Sequence, residues 1–168
     1  NEELDVLEPS ISQAIQQASD ALIAGELIDQ FPVDTIQGGA GTSTNMNVNE
    51  VIANKALEIL GHKKGEYDVV HPNNHVNCSQ STNDTYPTAF RLALYISLNN
   101  LEAAVRALEK AFAAKGEEFK DILKMGRTQL QDAVPMALGD EFTAFAVTLD
   151  DDVKCLKDAQ KLLLEMNL

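Results

Sequence analysis

The stretch FRLALYISLNNLEAAVRALEKAF, residues 90–112, decides the fold. Phe90, Leu94, Leu98, Leu101, Val105, Leu108 and Phe112 recur at spacings of 4, 4, 3, 4, 3 and 4, which is the period of a helix carrying one narrow apolar seam. Asn83 or Asp84 can cap this helix, Pro87 is tolerated only in its first turn, and Gly116 is its stop signal, so the spacing predicts a helix over 85–115. A second long helix starts near Pro135 and is predicted over 136–168, with Leu138, Phe142, Phe145, Leu149, Val153, Leu156 and Leu163 on one face and no stop before Leu168. Two antiparallel helices bury one face of each, so partner chains or further sequence are expected to cover the rest of these seams.

Outward from this pair, Pro9 to Ala24 reads as a helix with Pro in its first turn, apolar Ile11, Ile15, Ala18 and Leu22, and Gly25 as its stop. Ser43 to Leu60 reads as another, stopped by Gly61. Residues 61–81 turn to Gly, Pro, Asn, His and Ser without helical periodicity, with Glu66 to Val70 as a possible short strand. The expected class is all-α: a bundle of long helices with an irregular polar loop segment and little or no sheet.

Composition narrows the function. The 168 residues carry 26 Asp plus Glu against 13 Lys plus Arg, a net charge of −13, which excludes general nucleic-acid binding because phosphates need clustered cations. Nothing basic precedes Lys55, and this acidic stretch reads as a solvated face. No window approaches the roughly 18 apolar residues of a membrane span, and the acidic start is unlike a signal peptide, so a cytoplasmic protein is expected. Cys78 and Cys155 read as reduced thiols.

Three polar segments sit beside helix ends. Gln37-Gly38-Gly39-Ala40-Gly41-Thr42-Ser43-Thr44-Asn45 places a glycine-rich turn before a helix, where backbone N–H groups and the helix dipole favour an anion. It lacks the Lys of a phosphate loop and the third Gly of a dinucleotide fingerprint, and a tight turn with a hydroxyl cap is the alternative. Ser79-Gln80-Ser81-Thr82-Asn83-Asp84 crowds hydroxyls and amides ahead of the longest helix, more than capping alone requires. Lys124 through Pro135 joins the two long helices and holds Arg127, Thr128, Gln129 and Gln131. Together these could stabilise a small polyanion. His71, His75 and Cys78 suggest zinc, but Pro72, Asn73 and Asn74 break the helix that would align the histidines, and no fourth ligand is near. The methionines at 46, 125, 136 and 166 read as core fillers.

At these segments the chain resembles the aspartase/fumarase family. The resemblance runs through Phe31-Pro32-Val33-Asp34, Gln37 to Asn49, His71-Pro72-Asn73, Gln80 to Asp84 and Gly126 to Pro135, in family order. It implies residues 1–80 as part of an N-terminal helical domain bearing substrate-binding loops, and 81–168 as the first two long helices of a central bundle. It also implies a homotetramer whose active sites draw on three subunits. The implied chemistry is anti elimination from a dicarboxylic acid to fumarate with no cofactor and no metal. Thr42, Ser81 and Thr82 would cradle the doubly charged aci-carboxylate, and Asn83, Thr128 and Gln129 would face the other carboxylate and the leaving group. His71, Asn73 and Asn74 match a secondary anion site.

Fumarases, and some aspartases, place His where this chain has Gln129; together with Gln37-Gly38-Gly39-Ala40-Gly41, Gln129 makes the resemblance point to the branch that releases ammonia from L-aspartate, with water addition to fumarate as the alternative. The family's Gly-Ser-Ser-x-Met-Pro-x-Lys-x-Asn-Pro loop, which supplies the serine base and a substrate-binding Lys, occurs nowhere in these residues. The chain is therefore expected to be an internal piece of a longer enzyme, with no catalytic residue of its own, inactive alone and self-associating. A non-catalytic helical assembly module, its polar segments only caps and turns, is the reading from another class.

Overall fold

The computed structural model describes residues 1–36 and 38–165; Gln37, Met166 and the last stretch of the expected final helix lie outside the described residues. Residues 1–89 form one compact unit, and the chain from Phe90 to the last described residue belongs to a second.

In the first unit, helix α1 (Pro9–Ile23) has Pro at its first position and is followed by Gly25 at φ +91°. Helix α2 (Thr42–Ile59) is closed by Gly61 at φ +80°. Ala14 and Ala18 of α1 meet Ala53, Ala56 and Leu57 of α2, and Val70 from the following loop completes a core in which no residue exceeds 2% exposure. Alanines at the contact let the backbones approach, and burying Leu57 contributes about 2 kcal/mol.

The expected strand at Glu66 to Val70 does not form; these residues make turns. Asn54 of α2 pins the segment instead, its amide donating to the Tyr67 hydroxyl at 3.2 Å and its oxygen accepting from the Gly65 N–H at 2.8 Å. Val70 is drawn into the helical core, and with no partner strand beside it an extended segment would leave its backbone groups unpaired. The irregular segment also contains one π-helical turn, Pro72–Val76.

Helix α3 (Thr82–Glu118) extends past both expected ends, to 37 residues. Ser81, not Asn83 or Asp84, caps it: Ser81 Oγ accepts from the Asn83 N–H at 3.2 Å while the Asp84 carboxylate accepts from the Ser81 N–H at 3.1 Å, a reciprocal capping box. Pro87 consequently falls inside the helix rather than in its first turn, leaving the Asn83 carbonyl without its usual N–H. Gly116 does not stop the helix; it is buried where α3 meets helix α4 (Leu138–Leu162). A Cβ on Gly116 would lie 2.5 Å from Thr143 Oγ1, and one on Gly139 would lie 2.3 Å from the Gly116 carbonyl oxygen.

The predicted seam of α3 divides. Leu98, Val105 and Phe112, seven residues apart, are half-buried along with Tyr95 and Phe119, whereas Phe90, Leu94, Leu101 and Leu108 are exposed. On α4 the corresponding stripe contains Gly139, Ala146 and fully buried Val153. Phe112 packs against Phe142 and Phe145 at ring-centroid distances of 5.9 and 5.4 Å, and Phe119 against Phe142 at 5.3 Å. The helices run antiparallel, since Arg106 bonds Asp150 at 2.6 Å and Gln160 reaches the Tyr95 carbonyl at 3.0 Å. The last helix ends at Leu162, capped by Leu163, short of the predicted Leu168.

Between these helices stands an element the sequence did not announce, a hairpin of β1 (Leu123–Thr128) and β2 (Gln131–Ala137). Pro135 and Met136 belong to β2, so α4 begins at Leu138 rather than at 135 or 136. Opposite Gly126 the register shifts by one, placing Ala133 and Val134 against a single residue as a bulge. Met125, expected as core, is 42% exposed. Two strands leave the all-α class intact.

Gly139→Ala should destabilise the protein by about 1–3 kcal/mol, because the atoms it meets are backbone and the helices must separate. Gly38→Ala, with open space around it, should change the unfolding midpoint little; equal midpoints for both variants would contradict the close crossing. Asp150 sits between Arg106 and Lys154, whose hydrogen bonds, Arg106 first, hold its carboxyl below the ordinary carboxylate range. Its contribution is therefore present at neutral pH and fades as pH falls through that lowered value. The stability gap between wild type and Asp150→Asn should be small, as befits a pair more than a third open to solvent, and should close on acidification.

Candidate active site

Two of the three polar segments meet within the first unit. The turn before α2 runs under α3: Gly41, at φ +85°, lies so close to the Tyr86 ring that a Cβ there would be 2.3 Å from it. Four residues further on, Asn45 donates to Asn77 Oδ1 at 3.2 Å and to Thr82 Oγ1 at 3.0 Å, and accepts from the Thr85 hydroxyl at 3.0 Å. Asn49, 5% exposed, also donates to Asn77 Oδ1, at 3.0 Å. The start of α2, the loop at Asn77 and the start of α3 are thus joined by buried or half-buried amides.

Around this junction the predicted binding residues are accessible. Thr42 opens α2 and is exposed; its N–H is taken by the Gly39 carbonyl at 3.1 Å, which leaves the hydroxyl as its group for an anion. Ser81 and Asn83 are exposed at the start of α3, and Thr82 is half-buried beside Asn45. The sequence reading gave no individual role to Asn45, Asn49, Asn77 or Tyr86. The signal for the first two was their spacing of four on one face of α2.

The third segment occupies the second unit. Thr128 ends β1, and Gln129 and Leu130 form the two-residue turn of the hairpin, both with left-handed backbone at φ +52° and +62°. Hairpin turns of this kind favour Asn and Gly, and two ordinary side chains there cost about 1–2 kcal/mol each. Thr128, Gln129 and Leu130 are all exposed, Leu130 completely. Arg127 pairs with Asp132 across the strands at 3.4 Å.

His71 and His75 are held differently from a metal pair. His71 Nδ1 accepts from the Asn73 and Asn74 N–H groups at 3.0 and 3.2 Å, and His75 Nδ1 accepts from the His71 N–H at 2.9 Å. In the neutral rings the proton then resides on Nε2, making each a donor there rather than a ligand. Among the described residues no group of three His, Cys, Asp or Glu side chains is placed to hold a metal ion. The same bonds use up the Asn73 and Asn74 N–H groups, so an anion at this second position would meet only the His71 Nε2–H and the two amide side chains. A cleft of about 310 Å³ beside α2, lined by Gln30, Asn47, Lys55 and Lys64 among others, contains none of the predicted site residues.

Exposed hydroxyls at the starts of α2 and α3 thus stand around a partly buried amide clamp. The sequence pattern of the Lyase family matches residues 1–168, and the chain belongs to that family. It is 56% identical over its whole length to an aspartate ammonia-lyase of Helicobacter pylori and 60% identical to one of Pseudomonas canavaninivorans, covering 36% of each. Among solved structures it matches a fumarate lyase:delta crystallin of Brucella melitensis with a TM-score of 0.89 and 55% identity, over all of this chain and 39% of that one. A class II fumarase of Schistosoma mansoni matches with a TM-score of 0.86 and 35% identity, over 99% of this chain and 35% of that one. The chain spans about a third of the length of the curated relatives it matches. Among the described residues, no helix is long and apolar enough to cross a membrane.

Leu130→Gly should relieve one left-handed side chain and stabilise the hairpin by up to about 1 kcal/mol. A lower unfolding midpoint for the variant would show that Leu130 makes a contact worth more than the strain.

Proposed function

We propose that the protein containing this chain eliminates ammonia from L-aspartate to give fumarate, and that these residues supply its binding donors. The observation that carries the reading is the junction itself: Asn45 joins the glycine-rich turn to the Ser81–Thr85 segment while Thr42, Ser81 and Asn83 stay exposed. The 56–60% identity to aspartate ammonia-lyases supports the amine as leaving group, as does Gln129 in place of the His found in fumarases.

In this reading a base removes the proton next to one carboxylate, and Thr42, Ser81 and Thr82 stabilise the doubly charged aci-carboxylate that results. Each well-placed donor contributes roughly 3 kcal/mol in the transition state, so hydroxyls and amides suffice where no metal is present. Asn83 binds the other carboxylate. Thr128 and Gln129, presented on the tip of the hairpin, take the leaving-amine end in a site assembled from several copies of the chain. Gln129 can hydrogen-bond the amine but cannot shuttle its proton. Residues 81–168 supply the first two long helices of the shared bundle, and the exposed Phe90, Leu94, Leu101 and Leu108 are the surface on which copies associate. No residue of this chain serves as the base; a serine elsewhere in the enzyme does.

The test is fumarate formation from aspartate by the full-length enzyme. Ser81→Ala and Thr128→Val should each lower kcat at least tenfold with the unfolding midpoint preserved, and Gln129→His should alter the pH profile for amine release more than dicarboxylate binding. Unchanged turnover in all three would favour the assembly module. Water addition to fumarate without ammonia release would favour a hydratase. The 168 residues alone should associate and form no fumarate.

A further inference from the structure

The polarity of the amide clamp can be traced from an atom that has no choice. The Gln80 carbonyl only accepts, so the Asn77 group 2.9 Å from it is Nδ2, and Asn77 Oδ1 is fixed on the other side as an acceptor. That oxygen takes an N–H from Asn45 and one from Asn49. Asn45 is thereby oriented in turn: one of its amide protons goes to Asn77, the other to Thr82 Oγ1, and its oxygen takes the Thr85 hydroxyl. Thr82 meets Asn45 as an acceptor, and its own proton is not used in that bond.

We infer that Asn77 and Asn45 are positioning residues that set Thr82 as a donor toward substrate, a relay of hydrogen-bond direction running from the Gln80 carbonyl through two amides to one hydroxyl. This rests on the reading of Thr82 as a carboxylate donor. A hydroxyl is both donor and acceptor, and one left undirected must reorient when negative charge develops. A hydroxyl whose lone pair is already engaged by an amide presents its proton beforehand, and a donor fixed in advance stabilises developing charge without reorganisation.

Asn45→Asp reverses the relay with almost no change of shape, because the atom facing Thr82 becomes an acceptor and draws the hydroxyl proton to itself. The experiment is a double-mutant cycle in the full-length enzyme, with kcat and KM for aspartate measured for Asn45→Asp, Thr82→Val and both together. Thr82→Val is expected to lower kcat by about 10²-fold or more. Asn45→Asp is expected to lower kcat at least tenfold in the native background, by less than about threefold in the Thr82→Val background, and again at least tenfold beside Thr82→Ser, which keeps the hydroxyl. Repulsion between the new carboxylate and the carboxylates of the substrate would instead raise KM equally in every background.

Normal turnover by Thr82→Val would overturn the donor reading and the relay with it. A slow Thr82→Val enzyme in which Asn45→Asp costs the same factor as it does in the native background would overturn the relay alone. Should Asn45→Asp not fold, Asn45→Ala deletes the relay without reversing it. Its kcat loss, about three- to tenfold, should vanish beside Thr82→Val, and an equal loss in both backgrounds would overturn the proposal.

Discussion

A buried amide must find partners, and Asn49 on α2 is the amide whose demand organises the first unit. Asn49 is only 5% exposed, and Asn77 Oδ1 meets its Nδ2 at 3.0 Å. To be there, Asn77 must be fastened by Gln80, and the loop that carries both must arrive against α2 just before α3 begins. The π-helical turn at Pro72–Val76 and the burial of Val70 in the alanine-lined core hold the other end of that loop. A polar constraint thus does what a longer apolar core would do elsewhere: it fixes one backbone segment against another and specifies the direction of each hydrogen bond as well.

The second unit rests on a different constraint. Gly116 and Gly139 bring α3 and α4 into near backbone contact at one end, and from there residues seven apart face one another down to Gln160 and Tyr95. The aromatic cluster of Phe112, Phe119, Phe142 and Phe145 flanks the glycines along the same contact. Two helices can bury only one stripe each. The other apolar rows of α3 are exposed for that geometric reason, which also accounts for seam residues too numerous for one contact.

The hairpin carries its strain where chemistry is proposed. Gln129 and Leu130 hold left-handed conformations that neither side chain favours, while the bulge opposite Gly126 bends the strands beneath them. Glycine at 126 suits this close approach, since a Cβ would lie 3.0 Å from the Val134 carbonyl oxygen.

The sequence by itself determined the helices and the family. Periodic apolar residues report helices because a helix repeats every 3.6 residues whatever lies around it, and motif order survives translation into structure unchanged. The elements it did not determine are those set by distant partners. Gly116 carries the local mark of a stop, yet the approach of Gly139 makes it a packing residue inside the helix. Asp84 looks like a cap, but it completes a box whose cap is Ser81. Exposed strands without apolar alternation could not be seen in residues 123–137. Nor could Asn45, whose role exists only because Asn77 and Thr82, more than thirty residues away, are brought to it. Local periodicity is written along the chain, whereas the direction of a hydrogen bond between remote amides is decided only when folding has placed both groups.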